Sequence, residues 1–543
     1  MKLTLVDRAI AQFDPHRALA RATARLRLDA LGAMPSIGAT ADGGYTSTSG
    51  TDSFLTRWIT RPRSAGADTL RQLPSLRAQS RDLVRNNPIA ASAIHTNVSR
   101  AIGTGLAYSP QPHLATLGWS PEQGAQWAAE VAAEFSLWAD STECDWSGEQ
   151  NFYGLQDLVT RSKLESGDCF TVLPDGKRTT TMPYALRLQV LEADRIGNPG
   201  GVADTAAVSG GVRRAADGGL ISGFHVYDTH PGVAHLVQGQ RYAGRWIEPV
   251  GSSGRRRMLH NFKRLRPEQP RGVPYLAPVM GMFKLIADYT DAEVKAAVIS
   301  AWLTLVIETP TGAGLPQIFG LQQPLPGAVA NSSGQAQQPT ADLEMGPGHV
   351  LSLAKGESAK VVNPGRPNPA FGDFVQAVLD QLGAGLFIGP ELLMKKFNTS
   401  YTAARAAFLD AWKHLLDVRT GTARDFCQPV LETWMAEAVI LGRIRAPGFF
   451  NDPRLRWAYT RAAWRGDSQG SLNPKDEVAA MREAIDGRLI THEHACWELF
   501  GQDWHQSYPQ VVAEQAQLKR DGIAPVPRAG AAAAPAGKEG SPP

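Results

Sequence analysis

The side chains in this 543-residue chain with the most evident chemical potential are cations in groups. Arg77, Arg81 and Arg85 recur at i, i+4 and i+8, which places three guanidinium groups on one helix face, suited to phosphates or to an acidic neighbour. Arg255, Arg256, Arg257, Lys263, Arg264, Arg266 and Arg271 crowd a second stretch around two prolines and a glycine, and Lys395–Lys396 forms a third, smaller group. Catalytic patterns are poorer. Glu165 with Asp168, and Cys144 with Asp145, are close in sequence, but proximity along the chain does not make a shared acid/base pocket. His492, His494 and Cys496 spell H-x-H-x-C, with His492 and Cys496 on one helix face, yet no third ligand is evident and the H-E-x-x-H of zinc proteases is missing. The phosphate-cradling G-x-x-x-x-G-K-[ST] loop does not occur. The residues therefore assign no catalytic, metal or cofactor-binding site and point to a chain that binds or builds.

Whole-chain properties agree. A formal charge of +3 is too small for a general polycation that wraps nucleic acid, but its distribution is uneven. Basic residues outnumber acids up to Pro110, whereas Pro121 to Asp175 is acidic and opposed only by Arg161 and Lys163, so surfaces of opposite sign are expected, either as plain solvated faces or as complementary subunit edges or a graded channel. Cys144, Cys169, Cys427 and Cys496 are widely separated, which suggests reduced thiols and a cytoplasmic site of synthesis. The opening residues contain no signal-peptide pattern, and the longest apolar run, Ala296 to Ile307, is too short for a membrane span.

Elements to carry these groups follow from periodicity. Helices are predicted over Leu73 to Ser99, Trp119 to Trp138 and Phe152 to Ser166, then strands at Cys169–Leu173, Leu186–Val190 and Phe224–Tyr227 within an α+β block from Asn151 to Phe262. A long helix starts after Pro278, with Val279, Phe283, Ile286, Val294 and Val298 at helical spacing. Short strands are expected at Val350–Leu353 and Lys360–Val362. A helix broken by Gly383 and Gly385 is expected over Phe371 to Leu386, and another over Thr402 to Thr420 with Phe408, Trp412, Leu415 and Leu416 on one face. His16 to Leu31 reads as helical, Leu31 to Thr69 as a linker, and the Ala- and Pro-rich end from Gly522 as disordered.

Several spaced strings resemble the lambda-type phage portal family. They are Arg77 to Pro88 with Ile102-Gly103-Thr104-Gly105-Leu106; Trp138 with Cys144-Asp145; Gly167-Asp168-Cys169-Phe170; Leu188 to Arg195; His260-Asn261-Phe262 with Arg266 to Pro278; Phe397 to Arg405; and Asn473 to Glu477. The last departs from the family pattern, with Asn in place of Asp and a shorter spacing.

The resemblance implies an α+β portal fold that assembles as a ring, typically dodecameric, without enzymatic activity or cofactor. It implies an N-terminal arm over 1–70, a wing over 71–275, a stem helix over 276–308, a clip over 309–369, helices with a channel loop over 370–420, a helical wing and crown region over 421–520 and a tail over 521–543. On that pattern Lys395 and Lys396 are candidate channel-lining residues, and Arg77, Arg81, Arg85, Arg266 and Arg271 are candidate interface or phosphate contacts. Implied partners are further copies of the chain, the terminase motor, major capsid and scaffold proteins, a head–tail connector, and double-stranded DNA read without sequence specificity; no membrane is implied. A non-ring DNA-binding scaffold and a metal-dependent hydrolase are the alternatives.

Overall fold

The computed structural model describes residues 62–215, 219–233, 241–302, 306–308, 358–360, 371–397, 400–470, 474–502 and 504–522. The expectations for residues 16–31, for Val350–Leu353, for most of the 309–369 segment and for the tail lie outside them.

The basic front is helical. After a short helix α1 (Ala65–Thr69) come α2 (Leu73–Asn86) and α3 (Pro88–Ala101). The single helix expected here is two, because Pro88 disfavours helical backbone at Asn87, whose extended conformation lets its side chain accept the Ile89 and Ala90 N–H groups and cap α3. Strand β1 (Ala107–Pro110) and the short α4 (Leu114–Leu117) lead to α5 (Pro121–Ala139). A reciprocal Ser120–Gln123 capping box starts α5. Helix α6 (Phe152–Ser166) has the predicted limits.

The β-rich block makes two sheets. Strands β2 (Asp168–Val172) and β3 (Gln189–Glu192) pair antiparallel; β4 (Val208–Ser209), β5 (Val212–Arg214), β6 (Ile221–Tyr227) and β7 (Gly244–Ile247) form a meander; and β8 (Met258–Phe262) returns to the other side of β2. Central β2 is buried throughout, so its period-2 alternation serves two cores. Phe170 and Val172 join Leu191, Val212, Phe224 and Met258, while Cys169 and Leu173 face the larger core of Phe135, Trp138, Phe152 and Trp434.

Helix α7 (Met280–Trp302) is the long helix expected after Pro278. Strands β9 (Val306–Glu308) and β10 (Ser358–Lys360) pair antiparallel. Helix α8 (Phe371–Leu386) runs unbroken through Gly383 and Gly385, which corrects the expected interruption. These glycines permit close approach instead: a Cβ on Gly383 would lie 2.9 Å from the Ile388 carbonyl oxygen, and one on Gly385 would lie 2.6 Å from Val279. Helix α9 (Pro390–Met394) and α10 (Tyr401–Thr422) follow. On α10 Ala411 and Leu415 are the buried apolar residues among those described while Leu416 faces outward, so the expected apolar face is narrower than predicted.

The chain stays helical through a π turn (Ala423–Cys427) into α11 (Gln428–Ile440). Pro429 has no N–H to donate, and in a regular helix its ring would press on the carbonyl four residues earlier; the wide turn, with Gln428 N–H donating to Ala423 O, relieves this. Helix α12 (Pro453–Thr460), strand β11 (Ala462–Arg465), which pairs with β1, and helices α13 (Pro474–Asp486), α14 (His492–Phe500) and α15 (Trp504–Arg520) complete the described chain. No helix of the described residues is long and apolar enough to cross a membrane.

Candidate functional site

Asp168 is fully buried at the head of β2, and a carboxylate there must be paired to remain charged. Arg77 reaches it from α2 at 2.7 Å, Arg271 reaches it from the loop after β8, His260 Nε2 lies 3.2 Å away, and the Gly272 N–H donates to it at 3.2 Å. Burial alone would raise its pKa, but Arg271, Arg77 and His260 hold the carboxyl well below the usual range. Arg77 also pairs with Asp194 at 3.2 Å and donates to the Ser166 carbonyl, and Arg81 pairs with the other Asp194 oxygen and with Ser166 Oγ. The remaining Arg271 donors satisfy the carbonyls of Ala193, Ile196 and Gly210 at 2.7 to 2.8 Å.

The backbone makes room for this node. Gly167, at φ 90°, and Gly272 cross so closely that a Cβ on Gly272 would sit 2.0 Å from the Gly167 carbonyl oxygen. His260 is stacked between Phe170 and Phe262 at 4.2 and 4.1 Å, and burial lowers its pKa against the opposing pull of Asp168. The cluster joins α2, the α6–β2 corner, the turn after β3, strand β8 and the approach to α7, so it fixes where the long helix leaves the body.

The Arg77, Arg81 and Arg85 stripe is therefore not one surface feature. Arg77 and Arg271 are buried and committed to internal partners, which removes them as phosphate contacts, and Arg81 is held by Asp194; Arg85 is exposed. Arg266 is exposed and pairs with Asp68 at 2.6 Å. The rest of that basic stretch is largely neutralised as well: Arg255 pairs with Asp175, Arg256 with Glu432, Lys263 with Asp417, and Arg264 lies over Phe262. Part of the acidic 121–175 stretch is paired in the same way, with Glu134 on Arg443, Glu143 on Arg187 and Asp157 on Arg161.

Lys395 and Lys396 behave differently. Both are exposed at the end of α9, where Lys395 takes a left-handed conformation at φ 53° and both N–H groups donate to the Glu391 carbonyl. Buried Leu392 and Leu393 anchor the turn, and Ser92 of α3 donates to the Leu393 carbonyl at 2.8 Å. Exposed Phe387, Met394 and Phe397 accompany the lysines, with Phe387 resting on His414. Two cations are thus presented outward on a turn fixed from below.

Sequence reasoning did not name Asp194 or His260 as partners, nor Asp168 as the centre. An acid opening an otherwise apolar strand, directly after a glycine, was the available signal. The H-x-H-x-C group does not converge: His492 stacks on Trp504 and His494 pairs with Glu498 at 2.9 Å.

Comparison with known proteins gives these features a context. The profile described as phage portal protein, lambda family, matches residues 51–419. The portal protein of Escherichia phage N15 is 25% identical over 493 residues, covering 88% of this chain and 91% of the relative. Portal protein B of Escherichia phage lambda is 24% identical over 497 residues, covering 89% and 91%. Among solved structures, a chain from the virion of a native gene transfer agent particle aligns with a TM-score of 0.42 at 12% identity, covering 81% of this chain and 93% of that one. A chain from the neck of the same kind of particle, computed with C12 symmetry, gives 0.40 at 12% identity, covering 78% and 92%. The family match spans most of the sequence and takes in the whole Asp168 cluster, so the chain belongs to the lambda family of phage portal proteins, structural subunits of the virion and not enzymes.

Proposed function

We propose that copies of this chain close into a ring at one vertex of a phage capsid and conduct double-stranded DNA through the central channel during packaging and ejection, driven by a separate terminase. The ring nucleates head assembly with major capsid and scaffold proteins and docks terminase and a head–tail connector. Family membership supplies the architecture. The observation that carries the DNA-handling reading is the outward pair Lys395 and Lys396 on a turn anchored from the core, while Arg77, Arg81, Lys263 and Arg271 of the two larger basic groups are occupied by internal acids.

A conduit must attract duplex without gripping it, because each phosphate neutralised adds affinity and salt dependence. Two lysines per copy, repeated around a ring and unable to read base edges, suit a sliding polyanion. The test is Lys395→Ala/Lys396→Ala in an otherwise complete phage. Rings should still form and heads assemble, with less DNA packaged per particle. Wild-type packaging by the double variant would reject the channel role for this turn.

A further inference from the structure

We infer that the open edge of β1 takes a third strand, and that this strand is Ala531–Ala534 of the same chain. The contact forms within one subunit and is independent of ring closure.

Strands β1 and β11 make a ribbon of only two strands, a unit that is marginal by itself. The Gln111 N–H donates to the Arg461 carbonyl at 3.0 Å, which extends the ladder beyond Pro110. By antiparallel alternation Ala107 and Ser109 also turn their backbone groups toward β11, and Leu106, Tyr108 and Pro110 turn theirs away. The buried amide of Gln156 meets both outward groups of Leu106 as a neighbouring strand would, accepting the N–H at 2.6 Å and donating to the carbonyl at 3.2 Å. One step along, no group of the described residues meets the Tyr108 N–H, the Tyr108 carbonyl or the Pro110 carbonyl. A groove of about 1160 Å³ lies beside this stretch, lined from Thr104 to Pro112. It exceeds the roughly 300–1,000 Å³ of small-molecule sites, and an unpaired strand edge along it suits an extended segment. Its α5 side is formed by Ala125, Ala128, Ala129 and Ala132, which leave the space unfilled.

Reach, bonding and charge select the chain's own tail as the occupant. Ser507 and Gln510 of α15 form part of the groove wall, and the sequence continues from that helix through residues 523–543. From Gln510 to Arg520 is about 15 Å of helix, whereas residues 523–543 extend to roughly 70 Å, ample for a return. A tether of this length holds a segment at about millimolar effective concentration. Tyr108 needs a partner residue that both donates and accepts, which excludes proline. Ala531–Ala534 is the longest run of the tail without Pro or Gly, and four residues between Gly530 and Pro535 are too few for a stable helix. The charges of the groove wall are already committed: Arg465 pairs with Glu493 and lies over Trp497, and Asp467 accepts the N–H and hydroxyl of Thr104. A charged segment would find no counter-ion there, and the alanine run carries no charge.

The test is amide hydrogen exchange of the full-length protein, read by mass spectrometry on overlapping fragments that isolate Tyr108. Ala532→Pro/Ala533→Pro places a residue without an N–H in either alternation of the strand and alters nothing in the folded body. Pairing should make exchange at Tyr108 roughly tenfold slower in wild type than in this variant. Gly540→Pro, outside the paired run, should keep the wild-type rate, and matching thermal unfolding curves establish that all three proteins are folded alike. The slow rate should persist in the dissociated subunit as it is diluted. Equal exchange at Tyr108 in wild type and the double variant would overturn the inference: two slow rates would mean that another segment covers the edge, two fast ones that nothing does. Protection that vanished on dilution would assign the strand to a second copy and overturn its assignment to the same chain.

Discussion

Replacing Asp168 with Asn tests whether the buried cluster holds the subunit together. The substitution keeps the shape but removes the charge between Arg77 and Arg271, and it turns an amide N–H₂ toward groups that can only donate. The ion pairs of Arg77, Arg81 and Arg271 are made to Asp168 and Asp194, so losing one carboxylate leaves buried guanidinium charge without full compensation. Breaking a buried pair in this manner costs about 3–5 kcal/mol, against a typical total of about 5–15 kcal/mol. Urea denaturation of the dissociated subunit, followed by tryptophan fluorescence, should show the midpoint falling by roughly 1–5 M for a slope of about 1–3 kcal/mol/M. The variant should also lack part of the wild-type acid sensitivity. Asp168 is more acidic folded than unfolded, so its contribution is complete above the unfolded value of about 3.9 and is lost as pH falls below it toward the folded one. A destabilisation under about 1 kcal/mol, or an unchanged acid transition, would refute the assignment of the cluster as a structural centre.

Other expectations follow from the same geometry. Gly272→Ala should prevent folding or lower the thermal midpoint severely, because its Cβ would overlap the Gly167 carbonyl, whereas Gly118→Ala, with nothing within 4 Å, should cost only about 1 kcal/mol of backbone strain; differential scanning fluorimetry separates the two. His260 is held neutral by burial, so the unfolded chain binds more protons as pH falls below about 6.5 and stability should decline there, with a smaller slope in His260→Phe; denaturation at pH 7 and pH 5 measures it. DNA binding by assembled rings should lose salt dependence in Lys395→Ala/Lys396→Ala, and an unchanged slope would place phosphate contacts elsewhere.

The local fold was legible because its signals are local. Phe152–Ser166 follows from apolar spacing, and the long helix is announced by Pro278 and its periodic Val279, Phe283 and Ile286. What sequence alone does not supply is which charges meet. Arg77 and Asp168 lie 91 residues apart and Asp168 and Gly272 lie 104 apart, so strings that read as separate landmarks, Arg77–Arg81, Gly167-Asp168, Asp194, His260 and Arg271-Gly272, join only after folding. For the same reason the stretch beginning at Arg255 reads in sequence only as strongly basic, although Asp175, Glu432, Asp417 and Asp68 neutralise much of it. Gly383 and Gly385 misled because a glycine needed for close packing has the same letter as one that ends a helix.

The π turn at Ala423–Cys427 bears on how this chain tolerates insertions and deletions. Elsewhere in the rod from Tyr401 to Ile440, losing one residue would rotate everything downstream by about 100° and swing Trp434 and Met435 out of the interior. Within the wide turn an extra residue is already absorbed, so trimming it there would leave both halves facing as they do now. Relatives that differ in length by one position along this rod should carry the gap at that turn.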